Sequence, residues 1–184
     1  MSEAVGKIAL VTGANKGIGL EIARGLGAKG ATILVGARNA AAGEEAVAQL
    51  RGEGHNAHFL SVDITDEASV KAAVARIAAD WGHLDILVNN AAVSLDKSSK
   101  PSDADLSLMR ETYEANVFGL VAVTQAMLHL LRKSAAGRIV NMSTGLASLK
   151  LSSGREAPFA FSRLLPYNRS KTAVNGIIVQ FPNE

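Results

Sequence analysis

What most constrains this chain is an alternation between two hydrophobic periods. Ile8-Ala9-Leu10-Val11 is a short continuous apolar run, and Thr32-Ile33-Leu34-Val35, His58-Phe59-Leu60-Ser61-Val62, Leu84-Asp85-Ile86-Leu87-Val88 and Arg138-Ile139-Val140-Asn141-Met142 repeat the signal. Between them run stretches with one apolar helical face. The first carries Ile18, Ile22 and Leu26, and the second, over 42–51, carries Val47 and Leu50. The third starts near Thr65 and Asp66 and places Val70, Val74, Ile77 and Trp81 at spacings of four, three and four. After a polar stretch from Ser94 to Asp105, one long helical region carries Val117, Leu120, Val121, Thr124, Leu128 and Leu131. An irregular segment then leads to Pro166, followed by a last helix through about Gln180 that Pro182 stops. Short apolar strands alternating with amphipathic helices predict an α/β fold, a parallel sheet with helices on both faces. Right-handed crossovers leave few arrangements, and the doubly wound order 3-2-1-4-5 is expected, with a ligand crevice at the carboxyl ends beside the first strand.

Composition narrows the function. With 48% hydrophobic and 20% charged residues the 184-residue chain can bury a core, and no repeat or linker divides it, so a single domain over 1–184 is expected. Lys and Arg number 19 against 17 Asp and Glu, and the longest basic run, Arg132-Lys133, falls where a helix should end. That balance argues against a nucleic-acid partner. The absence of cysteine excludes a disulfide framework and thiolate chemistry. His55 and His58 have metal-like spacing but no cluster of acids around them, so no metal is expected. No apolar run approaches the length of a bilayer, and Met1-Ser2-Glu3-Ala4 does not read as a signal peptide. A cytoplasmic protein with no membrane partner is the expectation.

The first strand is followed by Thr12-Gly13-Ala14-Asn15-Lys16-Gly17-Ile18-Gly19. Glycines at these offsets permit a tight turn and a close backbone approach to a phosphate, and the helix that begins there aims its unpaired N–H groups at an anion. The spacing G-x-x-x-G-x-G differs from the commoner G-x-G-x-x-G of dinucleotide sites. The second strand ends Val35-Gly36-Ala37-Arg38-Asn39, with no carboxylate where one would hold the ribose hydroxyls of NAD. Arg38, with Lys16 inside the turn, instead suits the extra phosphate of NADP.

Tyr167 and Lys171 stand four residues apart, on one face of the last helix. A free phenol has a pKa near 10, and a neighbouring ammonium lowers it toward catalytic use. Together with the glycine turn, Asp63 after the third strand, Asn89-Asn90-Ala91 ending the fourth, Asn116 in the long helix and Ser143 ending the fifth, this pair resembles the short-chain dehydrogenase/reductase family, in order and spacing, through nearly the whole chain. The resemblance implies a Rossmann-like fold and an NADP-dependent oxidoreductase moving a hydride between the nicotinamide and a small carbonyl or alcohol substrate. It implies that Tyr167 is the general acid, Ser143 bonds the substrate oxygen, and Lys171 tunes the tyrosine and holds ribose. Asn116 would anchor a water that relays protons to Lys171. Gly13, Asn15, Lys16, Gly17, Ile18, Gly19, Arg38, Asp63, Ile64, Asn90, Ala91, Tyr167 and Lys171 would contact the cofactor, while Asn89 would be largely structural. Dimers or tetramers through the long helix and the Tyr–Lys helix are also implied.

The chain departs from that family in three places. Ala92 stands where glycine is usual. The interval from Ser143 to Tyr167, with Arg155-Glu156-Ala157-Pro158-Phe159 in its middle, is long and is similar to the carbonyl-reductase-type branch, where it would shape the substrate pocket. Family members also continue past the Tyr–Lys helix with a sixth and usually a seventh strand, so a domain incomplete at its C-terminus is expected, with the fifth strand at a sheet edge. The alternative is a non-catalytic dinucleotide-binding or interaction protein with little or no turnover.

Overall fold

Strands β1 (Ile8–Thr12), β2 (Thr32–Ala37), β3 (Ala57–Ser61), β4 (Ile86–Asn89) and β5 (Arg138–Asn141) form one sheet in the order β3-β2-β1-β4-β5. The β1–β2, β1–β4 and β2–β3 pairs are parallel, with Leu10 level with Leu34 on one side and Leu87 on the other. This is the expected doubly wound order. The structure is a computed structural model describing residues 4–95, 100–154 and 156–181. The readings that rest on Met1, Ser2 and Glu3, on Arg155 and on Pro182 lie outside the described residues.

Compactness groups the chain, read from sequence as one domain over 1–184, into two units: Met1–Ala91 with Leu120–Val140, and Ala92–Gly119 with Asn141–Glu184. In the first, β1 is buried at every residue and its alternate side chains go to opposite faces. Ile8 and Leu10 join Leu34, Leu60 and Leu87 under helices α3 (Glu67–Asp80) and α5 (Leu120–Leu131), which contribute Val70, Ile77, Val123 and Met127. Ala9 and Val11 join Ile33 and Val35 against α1 (Gly17–Gly27) and α2 (Ala40–Gly52), which contribute Ala23, Val47 and Leu50. Each leucine or isoleucine so buried contributes about 1.5–3 kcal/mol. Caps set the helix starts: Asn39 Oδ1 accepts from Ala42 N–H and Asp66 Oδ1 from Ala68 N–H, each at 2.9 Å.

Two elements differ from the sequence reading. The fourth strand starts at Ile86, not Leu84, because Asp85 turns its carboxylate inward. Its Oδ2 accepts from Ile8 N–H at 2.8 Å and lies 3.1 Å from His83 Nε2, and its Oδ1 accepts from Ser134 Oγ at 2.5 Å. Burial works to raise the Asp85 pKa, but these partners outweigh it and hold the carboxyl below its usual range.

The long helical region is also interrupted. In the second unit α4 (Leu106–Tyr113) runs into a π-helical turn over Glu114–Gly119, and α5 begins only at Leu120. Among the described residues, Leu106–Leu131 is long and apolar enough to cross a membrane, a correction to the reading that no segment approaches that length. Its most apolar window is 56% buried inside the protein, as in a core helix. The second unit also holds α6 (Leu149–Ser152) and α7 (Leu165–Ile178), whose first turn takes in Pro166 where the sequence reading ends the irregular segment.

Candidate active site

In the first unit the glycine turn joins β1 to α1. Gly13 and Gly17 have φ of 66° and 57°, the left-handed region that a side chain disfavours. A Cβ on Gly19 would lie 2.5 Å from both Asn90 Nδ2 and the Gly13 carbonyl oxygen, whereas one on Gly17 would meet nothing within 4 Å. Packing therefore demands the one glycine, and chain reversal the other, beside open space. No side chain caps α1 and its first turn carries no acidic residue, so its leading N–H groups and positive dipole end face outward uncompensated.

Asn90 and Ala91 support this turn from below. Asn90 Nδ2 donates to the carbonyls of Thr12 at 2.9 Å and Gly13 at 3.2 Å, and the N–H groups of Asn90 and Ala91 both donate to Thr12 Oγ1 at 3.1 Å. The Asn90 side chain is thus spent on shaping the loop. Asn89 is buried, and its Nδ2 donates to Thr124 Oγ1 at 2.9 Å.

Around the turn, Asn15 is half-buried and Lys16, Ile18 and Arg38 are exposed, with Ile18 presenting 66% of its surface. Ile64 packs its side chain against the core. Asp63 Oδ1 accepts from the N–H and the hydroxyl of Thr65 at 3.0 and 2.7 Å. Those bonds, with the Arg38 charge nearby, hold its carboxyl below the usual range against the opposing effect of burial.

The second unit gathers the other candidates. Asn116 sits in the π turn, fully buried, and clamps the backbone of one loop residue on both sides: its Oδ1 accepts from Val93 N–H and its Nδ2 donates to Val93 O, both at 2.8 Å. The same Nδ2 donates to Ser170 Oγ at 3.0 Å, so both side-chain donor hydrogens are used. Lys171, one turn beyond the half-buried Tyr167 on α7, is 3% exposed and donates to the Met142 carbonyl at 2.8 Å. Burial pushes its pKa below the ordinary lysine value.

Ser143 is exposed and its Oγ donates to Asn175 Oδ1 at 2.6 Å. The next residue, Thr144, accepts a long 3.3 Å bond from Leu146 N–H, and its own hydroxyl proton has no acceptor among the described residues. Neither Thr144 nor Asn175 was singled out from sequence. A hydroxyl directly after Ser143 was the one available signal for Thr144, whereas nothing in sequence pairs Asn175 with a residue 32 positions away.

A doubly wound parallel sheet whose first strand opens through a glycine turn onto an uncapped helix defines a Rossmann-like protein. Residues 7–184 match the family model described as short chain dehydrogenase, and the chain belongs to that oxidoreductase family. It is 35% identical over 184 residues to a short-chain dehydrogenase/reductase of Aspergillus fumigatus, covering 96% of this chain and 68% of that one. A gluconate 5-dehydrogenase from Burkholderia cenocepacia, solved in complex with NADP and tartrate, superposes with a TM-score of 0.81 at 29% identity, over 94% of this chain and 63% of that one. A short chain dehydrogenase from Escherichia coli complexed with NADPH gives a TM-score of 0.84 at 28% identity, over 96% and 70%. The chain thus spans roughly two thirds of the length of these relatives.

Proposed function

We propose that the chain is the cofactor-binding and proton-donating portion of an NADP-dependent oxidoreductase acting on a carbonyl or the matching alcohol. The observation that carries this reading is the open start of α1, with Lys16 and Arg38 exposed nearby and no acidic side chain in the helix's first turn. Backbone N–H groups there suit a diphosphate, and the two cations suit a further phosphate. The NADP and NADPH complexes of the Burkholderia and Escherichia relatives support the same choice.

When bound, the nicotinamide supplies or accepts the hydride. Tyr167 donates the proton that neutralises the substrate oxygen. Buried Lys171 favours the phenolate left behind while tying α7 to the Met142 carbonyl. A hydroxyl from the Ser143-Thr144 pair bonds the substrate oxygen. The resemblance assigns this role to Ser143, whose proton must first leave Asn175, while Thr144 has a proton ready to donate. Asn116 holds the loop at Val93 in place, so a proton relay through it would need an atom other than its side-chain donors. Family resemblance also supports a homo-oligomer, which sedimentation would reveal.

The test is a scan of small ketones and aldehydes with NADPH, followed by absorbance and set against Tyr167→Phe. Oxidation that the variant abolishes supports the enzyme. Saturable NADPH binding with no oxidation of any carbonyl points to the non-catalytic alternative.

A further inference from the structure

An α-helix turns about 100° per residue, so Tyr167 and Lys171 share one face of α7. Leu165, Asn168 and Arg169 fall on another side, where they line a cavity of about 510 Å³ together with Leu149, Phe159 and Arg163. The cavity lies within the second unit, and neither Tyr167, Lys171, Ser143 nor Thr144 lines it.

Its chemistry is one-sided. Two arginines reach it and, among the described residues, no acidic side chain does. Among the described residues Arg169 makes only a 3.3 Å bond to the Leu146 carbonyl, and Arg163 makes no hydrogen bond or ion pair. Asn168, 4% exposed, donates from Nδ2 to Ser162 Oγ at 3.0 Å, while its Oδ1 has no partner. A buried amide left half-satisfied is costly and calls for an occupant or a water. Because the Ser162 hydroxyl both donates and accepts, the amide can turn end for end and offer an N–H in place of Oδ1. An anionic oxygen selects that orientation. Leu149, Phe159 and Leu165 add an apolar side to the lining, beside the hydroxyls of Ser152 and Ser153, and the volume falls within the range of small-ligand sites.

We propose that this cavity binds a small amphipathic anion, an apolar or aromatic body carrying a carboxylate or a phosphate monoester, at a site separate from the Tyr167–Lys171 face. The proposal does not depend on the oxidoreductase reading.

The test is a calorimetric titration of the folded chain with four probes: 3-phenylpropionate, phenyl phosphate, inorganic phosphate and neutral 3-phenylpropionamide. One of the two aromatic anions should bind at one site per chain, about tenfold or more tighter than the amide and than inorganic phosphate. Which anion binds more tightly separates the carboxylate from the phosphate source. Arg163→Ser, at an exposed position, and Arg169→Gln should each weaken that binding about fivefold or more, while binding should persist with NADPH present. Should Arg169→Gln fail to fold, Arg163→Ser decides. Amide binding as tight as acid binding, indifference to Arg163→Ser, displacement by NADPH, or no saturable binding up to about 10 mM would each overturn the proposal.

Discussion

Lys171 is the side chain whose surroundings constrain its chemistry most tightly. It is an ammonium almost out of reach of solvent, held by one carbonyl, and its folded pKa lies below the ordinary 10.5. Between the two values the unfolded chain keeps a proton that the folded chain has released, so stability rises with pH across that window. Urea midpoints measured upward through the alkaline range to the ordinary lysine value should climb in the native protein, and the climb should be missing in Lys171→Met. Parallel profiles for the two proteins would contradict the burial argument. Arg38 poses a question of charge instead. Arg38→Ala should weaken NADPH binding roughly ten- to a hundredfold, the loss of one charge-assisted hydrogen bond, and leave NADH binding nearly unchanged. Fluorescence titration of both cofactors checks this, and equal losses would remove Arg38 from the phosphate site. The two neighbouring hydroxyls can be separated in the same way. If the uncommitted proton decides, Thr144→Val lowers kcat more than Ser143→Ala does, and the reverse order restores the role to Ser143.

At the scale of elements, the π turn over Glu114–Gly119 departs most from regular geometry, and such turns recur at functional sites. Asn116→Ala would orphan both the N–H and the carbonyl of Val93, at about 1–3 kcal/mol for each group left unsatisfied. Chemical denaturation should show a loss of a few kcal/mol, and a near-neutral result would mean that water replaces the amide there. This turn was invisible in the sequence for a physical reason. Its apolar spacing, Val117, Leu120, Val121 and Thr124, suits an uninterrupted helix, while the bonds made by Asn116 reach residues 23 and 54 positions away. Asp85 was missed similarly: it interrupts an apolar run, and only the fold brings Ile8, His83 and Ser134 to it. The strands themselves were legible because burial on both faces of a parallel sheet leaves a continuous apolar signal that needs no partner to interpret. The glycine turn was legible because its demands are local, a positive φ at Gly13 and Gly17. What Asn90 does was hidden, since its bonds to Thr12 and Gly13 cross from one strand end to another.

For the whole molecule, each compact unit is assembled from two separate stretches of chain, and the glycine turn and the Tyr167–Lys171 pair fall in different ones. The nucleotide binding and the proton donation proposed for them are therefore tested by separate substitutions, and thermodynamic linkage makes the first measurable without any turnover. Leu87 is fully buried, level with Leu10 in the core under α3 and α5. Leu87→Ala should cost about 2–5 kcal/mol, a large share of the 5–15 kcal/mol typical of a folded domain. NADPH at about a hundred times its Kd should return about 2.7 kcal/mol to that variant, because only the folded chain offers the open start of α1. Adding Arg38→Ala on the same background, at the same NADPH concentration, should cut the recovery to between about 0.4 and 1.4 kcal/mol, whereas Tyr167→Phe should leave it nearly whole. Denaturation midpoints with and without NADPH across these variants would show it. If NADPH moves no midpoint, the first unit holds no nucleotide and the cofactor assignment fails, whatever the fate of Tyr167.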